Sequence, residues 1–336
     1  MKKSLIAFVL LLIILSVRAQ SSLFTPNFFS PLSLNPSFAG STGAGRMTFT
    51  FQDQFPSTGN SGSVNSGFGY DQYIGKIKAG IGIQYQYGDN NGWGNWNRGV
   101  MSTHRLDFVY AQHFQLFDNQ LTIVPSVDFG YIHESIDMSK IAPVYIDPVF
   151  LPSSLIRPFA SSDQNVFDLS GGLLVHTKRL IAGFSMSHLA QPVIGDVSPA
   201  GLESAPLMRI YTFHMSYTFG NISEPNRGWY AAPGFILKYH AYPDNPNMVY
   251  HVLVPGVTVG YKSLSVGCAY VQEESFEFTA GFRNKHFSVG YSYDLMNPGS
   301  SVNSEYASGI HKLSLRVNLF GKNKPDSFLA APAWLF

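Results

Sequence analysis

Cysteine is nearly absent from this chain: one residue, Cys268, among 336. That excludes an intramolecular disulfide and a zinc site built from cysteines. Charge is scarce as well. Asp, Glu, Lys and Arg make up 13% of the residues, about half of the ~25% usual in soluble domains. No block of basic residues occurs, so nucleic acid is not an expected partner. Long apolar runs are missing too. The longest, Leu5 to Leu15, falls short of the ~20 residues that a membrane-spanning helix needs. Mean hydropathy is close to zero.

Catalytic motifs are also lacking. The ten histidines, among them His104, His113, His133, His176, His188 and His214, show neither HExxH nor any other metal spacing. No G-x-S-x-G elbow occurs. Gly40 to Gly45 resembles a phosphate loop only briefly, because no strand precedes it and no Lys-Ser/Thr ends it. Asp89-Asn90-Asn91-Gly92 lacks the closing acid of a calcium loop. Abundant Ser, His and Asn do not make a constellation. No catalytic, cofactor-binding or metal-binding residue is therefore assigned, and the expected function is non-enzymatic.

What the chain has instead is aromatic residues, glycine and alternation. Aromatics are 15% and glycines number 31. Along 44–54, Met47, Phe49 and Phe51 fall on one side and Arg46, Thr48, Thr50 and Gln52 on the other. Period two is the signature of a strand with one apolar and one polar face. Residues 76–87 repeat it, with Ile77, Ala79, Ile81, Ile83, Tyr85 and Tyr87 opposite Lys76, Lys78, Gly80, Gly82, Gln84 and Gln86. Further alternating segments are 64–70, 100–114, 120–134, 164–177, 180–189, 207–220, 229–242, 248–261, 263–271, 275–283, 286–295 and 309–320. Fourteen such strands predict an all-β fold, a transmembrane up-and-down antiparallel β-barrel, with the apolar faces on lipid.

The connections fit that reading. Short ones at 71–75, 117–119, 178–179, 262–263 and 284–285 alternate with long ones at 55–63, 88–99, 135–163, 190–206 and 294–308. Short periplasmic turns and long external loops are the pattern of outer-membrane barrels. Two gaps depart from it: 221–228 is long where a turn is expected, and 272–274 is short where a loop is expected. Pro125, Pro233 and Pro255 lie inside strand segments, where each forfeits a ladder donor.

Residues 1–19 read as a signal peptide, with Lys2 and Lys3 before the apolar run and small residues before Gln20. Its removal leaves a net charge of about −2. Residues 20–43 form an N-terminal segment at the periplasmic mouth or in the lumen, 44–320 the barrel, and 321–336 a periplasmic tail. Leu313, Leu315, Val317 and Leu319 on the last strand are expected to meet the first strand and close the barrel.

The beginning of the mature chain carries a resemblance. Asn35-Pro36-Ser37-Phe38-Ala39-Gly40, then Gly43, Arg46 and Gln54-Phe55-Pro56, is similar to the PorP/SprF family of Bacteroidetes outer-membrane proteins. Tyr70-Asp71 and the closing Gly309 to Leu315 fit that resemblance. Gln52-Asp53 stands where the family usually has Arg-Asn, and Phe55 where it has Trp. The resemblance implies a place in the type IX secretion system and gliding machinery. It implies as partners outer-membrane lipid, the secretion machinery and a large secreted adhesin-like protein, whose export or surface attachment the barrel would aid. It implies no cofactor. External loops, chiefly 135–163 and 190–206, would meet the secreted partner. The alternative is an outer-membrane channel or transporter for a small, apolar solute, with 20–43 as a plug.

Overall fold

The structure is a computed structural model that describes residues 30–54, 63–90, 101–137, 162–194, 205–220, 228–241, 249–272, 274–284, 286–296 and 309–319. The expected signal peptide 1–19, Phe55, Pro56, the two Trp of 92–96, most of loops 135–163 and 190–206, and the tail 321–336 lie outside the described residues.

Fourteen strands form one closed antiparallel barrel. In chain order they are β1 (Arg46–Gln54), β2 (Ser63–Ile74), β3 (Ala79–Asn90), β4 (Met101–Gln112), β5 (Leu121–Ile136), β6 (Ser162–His176) and β7 (Leu180–Ser187). They continue as β8 (Arg209–Tyr217), β9 (Trp229–Ala241), β10 (Val249–Tyr261), β11 (Leu264–Val271), β12 (Ser275–Arg283), β13 (Phe287–Met296) and β14 (Ile310–Asn318). Phe114–Leu116 and Phe219–Gly220 extend β4 and β8 briefly. Each strand pairs with its neighbours in sequence, and β14 returns to β1. There Phe51 lies opposite Leu313, Phe49 opposite Leu315 and Met47 opposite Val317, while Leu319 N–H donates to Gly45 O. Closure leaves no free sheet edge where water is absent. No described helix is long and apolar enough to cross a membrane.

The barrel is inverted relative to a soluble protein. Phe49, Phe51, Phe108, Phe129, Phe167, Val266, Phe278 and Leu313 are exposed on the outside. Thr48, Gln52, Gln84, Asp107, Asp168, Ser292 and Lys312 are buried inside. The period-two pattern of the sequence thus sorts residues between lipid and lumen. Outside, His104 and His311 share hydrogen bonds with Tyr85 and Tyr291 at 2.7 and 2.8 Å. Inside, His113, His176 and His214 are buried.

An arginine at Phe278, midway along β12, should destabilise the barrel by about 2–4 kcal/mol, the cost of a cation at the centre of the lipid face. Urea unfolding in liposomes measures it.

Two connections differ from expectation. β2 runs on to Ile74 and β3 begins at Ala79, so the tight turn occupies 75–78 rather than 71–75. Lys76 and Lys78 therefore sit in a turn, and Lys78 has a φ of +52°. Asp71 is not a turn residue; it is buried on the lumen face of β2 and bonded to Arg46. A buried ion pair outweighs the turn preference of aspartate. The second difference is within 190–206, where Val193–Ile194 pairs with Ala205–Pro206 in a short hairpin. The strand prolines are tolerated: β9 and β10 pair straight through Pro233 and Pro255. At Pro125 the β5 ladder to β6 continues, but the ladder to β4 ends one residue away, at Ser126 opposite Ala111.

Candidate functional site

The lead-in stretch before β1 is expected from the sequence at the periplasmic mouth or in the lumen. It packs inside the barrel against the wall. A four-residue helix, α1 (Pro31–Leu34), leads into a single 3-10 turn, Pro36–Phe38. Asn35, Ser37, Phe38, Ala39 and Arg46 are fully buried.

Each motif residue has a distinct task. Asn35 works through both ends of its amide. Its Oδ1 accepts from Ser37 N–H at 2.9 Å. Its Nδ2 reaches the Leu173 carbonyl at 3.3 Å, the Phe184 carbonyl at 3.2 Å and His214 Nε2 at 3.2 Å. One side chain therefore closes its own turn and grips β6, β7 and β8. Pro36 opens the turn, where a missing N–H costs nothing. Phe38 stacks on the His214 ring, centroids 5.4 Å apart. The Ala39 carbonyl accepts from His113 Nε2 at 2.9 Å. Gly40 has a φ of +70° and donates its N–H to Asp71 Oδ2 at 2.8 Å. Gly43, also at a φ of +70°, donates to Gly40 O at 3.0 Å.

Arg46 locks the assembly. Its Nε donates to Asp71 Oδ1 at 2.7 Å and its Nη2 to Asp71 Oδ2 at 3.1 Å and to the Phe38 carbonyl at 3.0 Å. Asp71 thus holds both Arg46 and Gly40, so β1, β2 and the lead-in share one carboxylate. This forked pairing satisfies a charge that is otherwise expensive to bury.

The wall is shaped to receive the lead-in. A Cβ on Gly80 would lie 2.0 Å from the Ala39 carbonyl oxygen, and one on Gly172 would lie 2.2 Å from Asn35 Oδ1. Both positions need glycine because another backbone or side chain passes directly over them. Ser37 Oγ meets Ser126 Oγ at 2.8 Å, and Ser185 Oγ donates to Leu34 O at 2.9 Å. Gln84 donates to Ser30 at 3.1 Å and also to Ser33. Leu32, Leu34 and Phe38 join Val124, Leu174, Ile181, Ile236 and Val254 in one apolar cluster that crosses the lumen.

Beyond the lead-in the lumen is charged. Lys312 Nζ lies 3.1 Å from Glu277 Oε2 and 2.9 Å from Asp294 Oδ2. Arg105 donates to Asp107 at 2.7 Å and to Asp168 at 3.0 Å. Among the described residues no group of His, Cys, Asp or Glu has the geometry to hold a metal ion.

The sequence motif thus names half of the site: Asn35, Pro36, Phe38, Ala39, Gly40, Gly43 and Arg46. Gln54 is buried at the far end of β1 and takes no part in this dock. Of the receiving half, Asp71 belongs to the Tyr70-Asp71 pair of the resemblance, while Gly80, His113, Ser126, Gly172, Ser185 and His214 carry no motif in the sequence. One signal was available. Gly80 and Gly82 interrupt the polar face that Gln84 and Gln86 continue, and small residues there mark a close approach.

A family model described as the type IX secretion system membrane protein PorP/SprF matches residues 16–317. The chain belongs to the PorP/SprF family. As a PorP/SprF barrel it is an outer-membrane protein associated with the type IX secretion machinery and with outer-membrane lipid. Its family and fold are those of secretion or transport membrane proteins. No curated protein matches its sequence. Among solved structures it is similar to CymD, a monoaromatic hydrocarbon channel. That match has 11% identity and a TM-score of 0.51, and covers 91% of this chain and 96% of CymD. The Pseudomonas putida toluene transporter TodX matches with 12% identity and a TM-score of 0.46, over 89% of this chain and 95% of TodX. A Pseudomonas aeruginosa FadL homologue matches with 12% identity and a TM-score of 0.46, over 85% and 93% of the two chains. At such identities the likeness bears on the fold alone.

Proposed function

We propose that this PorP/SprF barrel is a non-catalytic component of type IX secretion and the gliding machinery. It aids the secretion or surface attachment of a large secreted, adhesin-like protein. The observation that carries this reading is the docked lead-in. Leu32, Leu34, Phe38 and Ala39 of the lead-in share one apolar cluster with Val109 of β4 and Val254 of β10, and in this reading the lead-in closes that end of the lumen. A barrel stoppered in this way serves as a platform rather than a conduit for a folded protein. In this reading the signal peptide 1–19 directs export, and both termini lie in the periplasm. Loops 135–163 and 190–206 face the secreted partner, and the tail 321–336 faces the machinery.

Affinity purification of the barrel from native membranes tests this. One large secreted protein should accompany it. Recovery of the barrel alone overturns the anchor reading.

A second reading, a channel for a small apolar solute, has one observation in its favour. Ile236, Val252, Val254 and Val271 make an apolar stripe on the lumen wall of β9 to β11. The likeness to CymD, named a hydrocarbon channel, fits that stripe. This reading requires solute flux into liposomes containing the barrel, and the platform reading requires none.

A further inference from the structure

On the outside of the barrel, the wall of β3 to β6 changes chemistry row by row toward the long connections. Ile83, Phe108, Phe129 and Leu169 lie opposite one another across the four strands. Tyr85, Leu106, Tyr131 and Phe167 make the next outward row, and Tyr87, His104, His133 and Asn165 the one after. Asp89, Ser102, Ser135 and Asp163 make the last. The four rows share one face because side chains two apart on a strand point the same way. Apolar groups give way to rings with polar tips, then to imidazole and amide, then to hydroxyls and carboxylates. The histidine row therefore stands where hydrocarbon ends and headgroups begin.

That row is braced from within the wall. Asn165 Oδ1 accepts from the Tyr131 hydroxyl at 2.6 Å and from His133 Nδ1 at 2.9 Å. The Tyr85 hydroxyl shares a hydrogen bond of 2.7 Å with His104 Nδ1. The two imidazoles lie side by side, centroids 5.8 Å apart, and the Tyr87 ring lies 5.0 Å from that of His104. Both histidines are thus fixed through Nδ1, which leaves Nε2 of each for a ligand. The same pairing recurs at the long-connection end of β13 and β14, where the Tyr291 hydroxyl and His311 Nδ1 are 2.8 Å apart. At the opposite rim tyrosine pairs with glutamine instead: Tyr70 donates to Gln72 and Tyr110 to Gln112.

Charge discriminates between the headgroups this row could meet. Asp89 and Asp163 stand at the two ends of the last row, and these four rows hold no lysine or arginine. A phosphate would meet two carboxylates and no fixed cation. The hydroxyls of a sugar suit the same groups, since carboxylate and serine oxygens accept from them and imidazole Nε2 completes the set. We propose that the outer face of β3 to β6, at His104 and His133, binds the sugar headgroup of a glycolipid in the leaflet on the side of the long connections. Tyr87 and the imidazoles pack against the sugar ring. Ser102, Ser135 and Asp163 hydrogen-bond its hydroxyls, and the acyl chains lie along Leu106, Phe108 and Phe129.

Native mass spectrometry of the full chain in detergent micelles counts the lipids that stay bound. Digalactosyl diacylglycerol is the probe, and phosphatidylglycerol with the same acyl chains competes at equal concentration. The unmodified barrel should retain the glycolipid at least about fivefold over the phospholipid, the scale of one ordinary hydrogen bond. His104→Leu combined with His133→Leu should abolish that preference. Leucine suits a lipid-facing position, and heat-dependent gel mobility checks that the variant is folded. Tyr110→Phe, at the opposite rim, should leave the preference intact. Equal retention of the two lipids by the unmodified barrel overturns the proposal, and that comparison needs no variant. A preference for phosphatidylglycerol overturns it in favour of an anion site. A glycolipid preference that survives in the folded double variant places the sugar elsewhere and overturns it too. Free digalactosyl glycerol displacing the glycolipid at equal concentration would overturn the lipid as the source of the sugar.

Discussion

A barrel carrying Gly80→Ala should conduct ions where the unmodified barrel does not. The added Cβ would meet the Ala39 carbonyl oxygen at 2.0 Å and the Gly40 nitrogen at 2.8 Å. Both are backbone atoms, so no side-chain rotation relieves the clash. One partner must move, and the wall is the stiffer of the two. β3 is held by ladders to β2 and β4 along its whole length, whereas the lead-in is held by individual bonds. Overpacking of this kind costs about 1–3 kcal/mol, and the lead-in should absorb it by leaving its seat. Gly82→Ala is the internal control. It lies on the same face of the same strand, but its Cβ would come no closer than 3.4 Å to any neighbour. Planar-bilayer recordings should show channel steps for Gly80→Ala and none for Gly82→Ala.

The second large effect is expected at Arg46. Arg46→Ala leaves Asp71 charged and fully buried, with Gly40 N–H as its remaining donor. Removing one partner of a buried pair costs about 3–5 kcal/mol. Arg46→Lys should recover only part of this. An ammonium cannot span both Asp71 oxygens and the Phe38 carbonyl as the guanidinium fork does. Arg46→Met combined with Asp71→Leu should cost less than the two single changes added together, because no uncompensated charge remains. Unfolding midpoints from heat-dependent gel mobility would rank the five variants. A fully additive double change would show that the pair is not coupled.

The wall of this protein is legible in its sequence, and the site is not. Phe49 and Phe51 against Thr48 and Gln52 disclose both faces of β1, because a strand sorts its residues by simple alternation. The same rule recovers strand after strand to within a few residues. The lead-in obeys no such local rule. Asn35 and Gly40 look like loop residues because their partners, His214 and Asp71, are brought to them only when the barrel closes. Asp71 illustrates the point from the other side. In Tyr70-Asp71-Gln72 it reads as the start of a turn, and only its contact with Arg46 explains why the strand continues through it. Likewise nothing in the sequence marks Gly172, whose reason is Asn35 lying over it. The family motif was therefore visible as a pattern, while its physical reason, one amide gripping three strands beside an arginine lock, needed the closed barrel.

The stoppered lumen is the claim on which the platform reading depends. Single-channel recording of the unmodified full chain in planar bilayers tests it most directly. The account predicts a silent membrane, with conductance appearing only when the seat of the lead-in is disturbed. Stable open-channel steps from the unmodified barrel would contradict it.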